Sequence, residues 1–410
     1  MAGFVTTAQA VDNTWDYSVR VSATVQAAPP SITLTWPQDT NGTPSNYTVS
    51  RKAPAATSWS SVASLSGGTT SWTDTTITAG TVYEYRITKA APGGYTGYGY
   101  IQAAVTATLV DQRGKVILLV DNTIASPLAN ELKTLEQDLA GDGWTVLRRD
   151  VSRSDSPANV KSLITGIYNA DPQNVKSVFI FGHVPVPYSG QLNPDGHSEH
   201  TGAWPADVYY GDVNGNWTDN SIDFVQSSHS DPANNIRLTN RPGDGKFDQT
   251  QIPSTVELEV GRVDLANMPG RDDWGIYATF PSEVEALRKY LNKDHNYRHR
   301  VVNPTRRAVV GDYLGQLYQQ APAASGYRSF APIVGPNNVR NLNTEFNDQQ
   351  NTWIPAITQN DYLFAYGCGY AAYGAISGLG SAGGGNAAPT AEFLKNDVKA
   401  VFTMLFGSWH

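Results

Sequence analysis

The hydrophobic period changes near residue 109, and a single packing layer cannot serve both halves. From about Tyr17 to Ala104 the chain reads "YSVRVSATV", "SITLTW", "NYTVSRK" and "TVYEYRIT", short alternating runs separated by Pro, Gly, Asn and Ser clusters. Alternation with period two buries one face of each strand, and strands at this spacing predict a sandwich. Beyond "VTATLVDQRGK" the apolar runs become continuous. "KVILLVD", "WTVLRRD" and "VKSVFIFG" alternate with the helical segments "SPLANELKTLEQDLAGDG" and "SPANVKSLITGIYN". Strands buried on both faces and joined by helical crossovers predict a mostly parallel sheet with helices on each side. The expected fold is therefore multidomain: a tail over 1–16, an all-β sandwich over 17–108, and an α/β domain over 109–410 with a long polar insertion at 184–254.

Charge excludes one class of partner. With 29 basic and 37 acidic residues the net charge is −8, no basic stripe stands out, and no nucleic-acid partner is expected. No apolar run reaches the roughly 20 residues of a membrane span, and "MAGFVTTAQAVDNTW" lacks the pattern of a signal peptide. One cysteine rules out an internal disulfide, and the richness in Thr, Ser, Asn, Gly and Tyr with little Lys fits a secreted or cell-surface parent protein. The expectation is that this chain is a fragment of that parent.

Two resemblances follow from these residues. Trp36, closing the second strand, and "TITAGTVYEYRI", with Tyr83 or Tyr85 at a tyrosine corner, make the first region similar to a fibronectin type III domain. In the second, "VFIFGHVPVP", "PADVYYGD", "VELEVGRVDL", the helix "SEVEALRKYLNKD", "YLFAYGCG" and "VFTMLFGSW" occur in an order that resembles the caspase-like fold of the gingipain group of secreted cysteine peptidases. The resemblance implies a histidine base after one strand and a cysteine after the next. Cys368 stands at the histidine position and Ser408 at the cysteine position, so neither catalytic residue is retained. His410, two residues past Ser408, is the remaining base for a reversed pair with Cys368.

Ligands of an open parallel sheet bind beyond the carboxyl ends of its strands, so the residues just past each strand are the candidates. Asp121, Asp150, His183, Asp312 and Cys368 fall there. Asp121 and Asp150 read as helix caps; His183, Asp312 and Cys368 are taken as catalytic candidates, with Cys368 also readable as a small residue at a tight turn. In the insertion His197 and His200 lie three apart, a spacing suited to zinc or another transition metal, with His183, Asp195 and Asp207 as further ligands. "DVNGNWTDNSID" spaces Asp212, Asn214, Asn216, Asp219 and Asp223 as oxygen ligands for calcium, although its glycine, Gly215, is displaced from the EF-hand position. "GDGKFD" supplies a second acidic pair, Asp244 and Asp248, or a Gly-Asp turn. "GLGSAGGGN" over 378–386 reads as a linker or a substrate-binding loop.

Three functions of different class follow. The first is a hydrolase in which a His/Asp-bound divalent cation activates water against a small-molecule ester or phosphoester. The second is a gingipain-like cysteine peptidase using Cys368 on peptides. The third is a non-catalytic, calcium-binding cell-surface protein.

Overall fold

Alternation in the first hundred residues becomes two antiparallel sheets. The computed structural model describes residues 14–40, 42–107, 110–194, 196–229, 232–268, 280–312, 322–342, 353–369, 371–372, 375–377, 379, 387–389, 392–393 and 396–407. Strands β1 (Ser22–Gln26), β2 (Ser31–Thr35) and β5 (Ser71–Asp74) form one sheet. β3 (Asn46–Lys52), β4 (Ser60–Ser66), β6 (Val82–Ala90) and β7 (Thr96–Ala104) form the other, in the order β4-β3-β6-β7. The inward residues Ile32, Leu34, Trp36, Tyr47, Val49, Tyr85 and Ile87 make one core. Seven strands in this arrangement are a fibronectin type III-like sandwich. Tyr83 is the corner residue, its hydroxyl accepting the N–H of Thr78 at 3.0 Å. Tyr85 points inward instead and donates to Asp74 Oδ2 at 2.9 Å.

The chain divides into two compact units, one of residues 1–109, 269–278 and 303–410 and the other of 110–268 and 279–302. In the second unit β8 (Gly114–Asp121), β9 (Trp144–Val151), β10 (Val175–Phe181) and β13 (Glu259–Val263) form an all-parallel sheet in the order β13-β10-β8-β9. Each central strand feeds both faces, which is why these strands read as unbroken apolar runs. Val116, Leu118, Val120 and Phe181 pack against the helices Ala129–Gly141 and Glu283–Arg298, while Ile117, Leu119, Val178 and Ile180 pack with Val160 and Ile164 of the helix Pro157–Ala170. The last two helices start where their sequences cap them. Ser156 accepts the N–H of Asn159, and Ser282 forms a reciprocal box with Glu285. A hairpin of β11 (Tyr188–Leu192) and β12 (Gly202–Pro205) rises from the insertion.

The rest of the first unit carries a separate parallel sheet. Its order is β15-β14-β16-β20, with β14 (Ala308–Asp312), β15 (Val339–Asn341), β16 (Tyr362–Cys368) and β20 (Ala400–Phe406). A small antiparallel sheet, β17 (Ala371–Ala372), β18 (Ala375–Ser377) and β19 (Ala387–Pro389), lies between β16 and β20 in sequence. The expectation of one α/β domain over 109–410 thus meets two four-stranded sheets, and 303–410 group with the sandwich. Nor is the end of the expected tail loose. Thr14–Tyr17 forms a 3-10 turn whose Trp15 meets Tyr327 edge-on at 6.4 Å and lies under the Arg20 guanidinium. Aromatic burial and cation–π contact explain why these residues are ordered.

Candidate functional site

The carboxyl edge of the second unit's sheet builds a histidine–carboxylate pair. β10 ends at Phe181, and Gly182 turns the chain with φ +85°; a Cβ there would meet Asp121 Cβ at 2.7 Å and Ile124 Cδ1 at 2.8 Å, so only glycine fits. His183 follows. Its backbone N–H donates to Asp121 Oδ2 at 3.1 Å, and its Nδ1 lies 2.8 Å from Oδ2 of Asp264, the residue just past β13. A carboxylate only accepts, so Nδ1 carries the proton and Nε2 is left with its lone pair. Nε2 makes no hydrogen bond among the described residues, and the side chain is about one-third exposed (34%). This is the arrangement of a base or a ligand.

An arginine clamp holds that turn. Arg262 of β13 reaches Asp207 with two bonds of 2.7 and 2.8 Å and donates to the carbonyls of Val184 and Pro185 at 2.6 and 3.3 Å. Asp207, expected as a metal ligand, is instead the carboxylate of a bidentate ion pair that fixes the root of the β11–β12 hairpin. Asp121 behaves as a cap, accepting Thr123 N–H at 2.9 Å, and also pairs with Arg153. Burial alone would raise its pKa, but these donors hold it below the ordinary carboxylate range. Asp150 does not cap a helix; it pairs with Arg148 at 2.9 Å.

His197 and His200 come together, with a carboxylate the sequence reading passed over. Ligand atoms of His197, Glu199 and His200 all lie within 4.8 Å of one another, on the 3-10 turn Ser198–His200 at the tip of the hairpin. The turn is held from behind. Buried Gln226 donates to the carbonyls of Glu199 and Thr201 at 2.9 and 3.0 Å, and Trp204 Nε1 donates to the His200 carbonyl at 3.0 Å. Gln226 Oε1 also accepts the N–H groups of Ser227 and Ser228 at 2.8 Å, bringing His229 alongside with its ring 5.9 Å from that of His200. Glu199 lies below the usual carboxylate range, held by its own backbone N–H and then by the charges of His200 and His197. "HSEH" signals Glu199 by its position between the two histidines; nothing local signals His229.

His183 does not share this cluster. The hairpin cluster draws its three ligand atoms from His197, Glu199 and His200, and His183 lies before the hairpin's first strand. Two separate groups therefore replace the single expected site. Asp195 lies outside the described residues, as do Ser408, His410 and most of the loop 378–386.

Of the residues expected to hold calcium, Asp212, Asn214 and Asp219 are engaged by hydrogen bonds within the protein. Asp212 is fully buried and accepts Trp217 Nε1 at 2.8 Å and the Ser254 hydroxyl; Gly215 passes so close that a Cβ would fall 1.9 Å from its carboxylate, which explains that glycine. Asn214 bonds Glu257 at 2.9 Å. Asp219 accepts the N–H groups of Gly243 and Gly245, both at 2.8 Å. Asn216 and Asp223 are exposed. Carboxylates turned onto N–H donors cross-link the insertion rather than converge on an ion. Asp248 does the same, accepting the N–H groups of Asn220, Ser221 and Ile222 at 2.9, 3.1 and 2.8 Å.

Cys368 and Asp312 are corrected by burial. They sit opposite each other at the ends of β16 and β14, 0% and 3% exposed, with Tyr327, Phe330 and Tyr366 in the same core. Burial, then the Asp312 charge, pushes the thiol well above its ordinary value. A thiol shut away from solvent, its ionisation disfavoured by burial, is a packing residue.

The fold and these groups define a multidomain protein, a fibronectin type III-like module accompanied by parallel-sheet α/β regions. Solved structures similar to part of the chain include an Fn3-like protein from Clostridium thermocellum (21% identity, 22% of this chain and 90% of that one, TM-score 0.18). The fn3 domain of the human collagen alpha-1(XX) chain matches at 14% identity over 22% of this chain and 81% of that one, TM-score 0.19. A pectate lyase from Pectobacterium carotovorum matches at 15% identity over 24% of this chain and 34% of the lyase, TM-score 0.19. No protein-family profile matches the chain, and no curated protein matches it. Among the described residues no helix is long and apolar enough to cross a membrane.

Proposed function

We propose that this chain is a hydrolase of caspase-like, gingipain-related architecture in which a divalent ion on His197, Glu199 and His200 replaces thiol chemistry. The observation that carries the reading is the His2Glu donor set, with its ligand atoms within 4.8 Å of one another and its turn fixed by Gln226 and Trp204. Two imidazoles and one carboxylate would suit zinc as three protein ligands, the number found in catalytic rather than structural sites. An ion there would lower the pKa of that water toward about 7 and polarise a bound ester or phosphoester. The chain's own residues orient the ligands and keep Glu199 ionised. The His183–Asp264 pair is a second proton-transfer candidate at the hairpin root.

The competing readings lose support for separate reasons. A cysteine peptidase needs an accessible thiolate, and Cys368 is buried. Calcium binding in the insertion needs converging oxygens, and those of Asp212 and Asp219 are engaged by donors. The test is turnover of a nitrophenyl ester and a nitrophenyl phosphoester by the full chain. Activity abolished by a chelator, restored by zinc and indifferent to a thiol-alkylating reagent supports the proposal; activity that survives chelation or dies on alkylation refutes it.

A further inference from the structure

A second histidine cluster lies outside the insertion, on two packed helices of the second unit. His295 and His299 stand four residues apart at the end of the helix Glu283–Arg298, a spacing that puts both rings on one face. That face meets the helix Ala129–Gly141, and both rings turn to one residue of it. His295 Nδ1 is 2.8 Å from Oδ2 of Asp138, and His299 Nε2 is 2.8 Å from Oδ1. The ring centroids are 4.3 Å apart, and ligand atoms from all three residues lie within 4.8 Å of one another. The carboxylate is sunk between the helices at 5% side-chain exposure, while the rings are 40% and 56% exposed. A solvent-borne ion can therefore approach over the rings.

The neighbouring charges do not oppose a cation. Arg298 is occupied by Asp294 at 2.8 Å and by Asp142, and Arg288 by Glu131 at 2.6 Å. In the structure Nδ1 of His295 and Nε2 of His299 carry the protons that Asp138 accepts; an ion would displace both, and two neutral rings and a carboxylate would then face one point, the donor set of a borderline divalent ion such as zinc, nickel or cobalt.

We infer that Asp138, His295 and His299 form a divalent transition-metal site that staples the helix Ala129–Gly141 to the helix Glu283–Arg298. It is independent of the catalytic reading, since none of its ligands belongs to the hairpin cluster. An ion held here is bound only by the folded helix pair, so it stabilises the unit by mass action without needing a substrate.

The experiment is zinc titration by calorimetry of the full, chelator-stripped chain carrying His197→Ala and His200→Ala, which removes the hairpin cluster. One equivalent of zinc should still bind, and the thermal unfolding midpoint should rise on loading. Adding His299→Ala, a half-exposed position whose loss leaves the helix intact by circular dichroism, should weaken that binding by about 100-fold or more, beyond what loss of a merely supporting group costs. Asp138→Asn, which keeps the side-chain shape, should weaken it as well. No bound zinc in the double variant, or an unchanged affinity after His299→Ala, overturns the inference. Failure of the hairpin site reads out separately, as an unchanged stoichiometry between the wild type and the double variant.

Discussion

Nδ1 of His183 and Oδ2 of Asp264 stand 2.8 Å apart, joining the ends of neighbouring parallel strands β10 and β13. The bond fixes the ring's tautomer, since the carboxylate requires the proton on Nδ1. Asp264→Ala should release it. Nitrogen NMR of histidine-labelled protein should show Nδ1–H for the neutral His183 ring in the wild type and a shift toward the Nε2–H form in the variant.

Arg262 links Asp207 to the carbonyls of Val184 and Pro185, so its planar fork holds the hairpin root and the His183 turn together. Lysine cannot reproduce that geometry. Arg262→Lys should cost about 2–3 kcal/mol by breaking a partly buried charge-assisted network. Urea unfolding measures the loss, and faster amide exchange at Val184–Asp207 should accompany it.

Cys368 should be inert in the folded protein. With the thiol buried and its ionisation driven up, a disulfide exchange reagent should leave native protein unmodified and label one thiol per chain after unfolding in guanidinium. Cys368→Ala should preserve whatever hydrolysis the wild type shows.

Burial raises the Asp248 pKa, but the N–H groups of Ile222, Asn220 and Ser221 and the Thr218 hydroxyl prevail and leave it far below the ordinary value. A carboxylate depressed in the folded state contributes stability that is complete above its unfolded value near 3.9 and is lost as pH falls through the lower folded value. The insertion should therefore hold its order at neutral pH and loosen progressively below about pH 4. Asp248→Ala should remove this acid dependence and cost about 1–2 kcal/mol, discounted for partial exposure. Limited proteolysis between Asp212 and Thr250 across pH checks both.

Much of the architecture was legible because period reports burial directly. The two-residue alternation of "NYTVSRK" became β3, and the unbroken runs "KVILLVD" and "VKSVFIFG" became the central strands β8 and β10, buried on both faces. The split into two parallel sheets was not legible, since apolar runs do not say which strands pair. His197 and His200 were found because their spacing is local. Asp264, Asp138 and His229 were missed because their partners lie 81, 157 and tens of residues away in sequence, joined only by the fold. The acidic run from Asp212 misled for a related reason: alternating oxygens look alike whether they face an ion or the N–H groups that Gly243 and Gly245 present from a distant turn.

Metal-dependent chemistry at His197, Glu199 and His200 is the central proposal. Its most direct test compares ester and phosphoester hydrolysis by zinc-loaded wild type and by the His197→Ala, His200→Ala double variant, prepared alike and equally folded. The account predicts turnover in the wild type and a rate in the variant no faster than zinc in buffer. Equal rates in the two proteins, or no turnover by the zinc-loaded wild type, would contradict it.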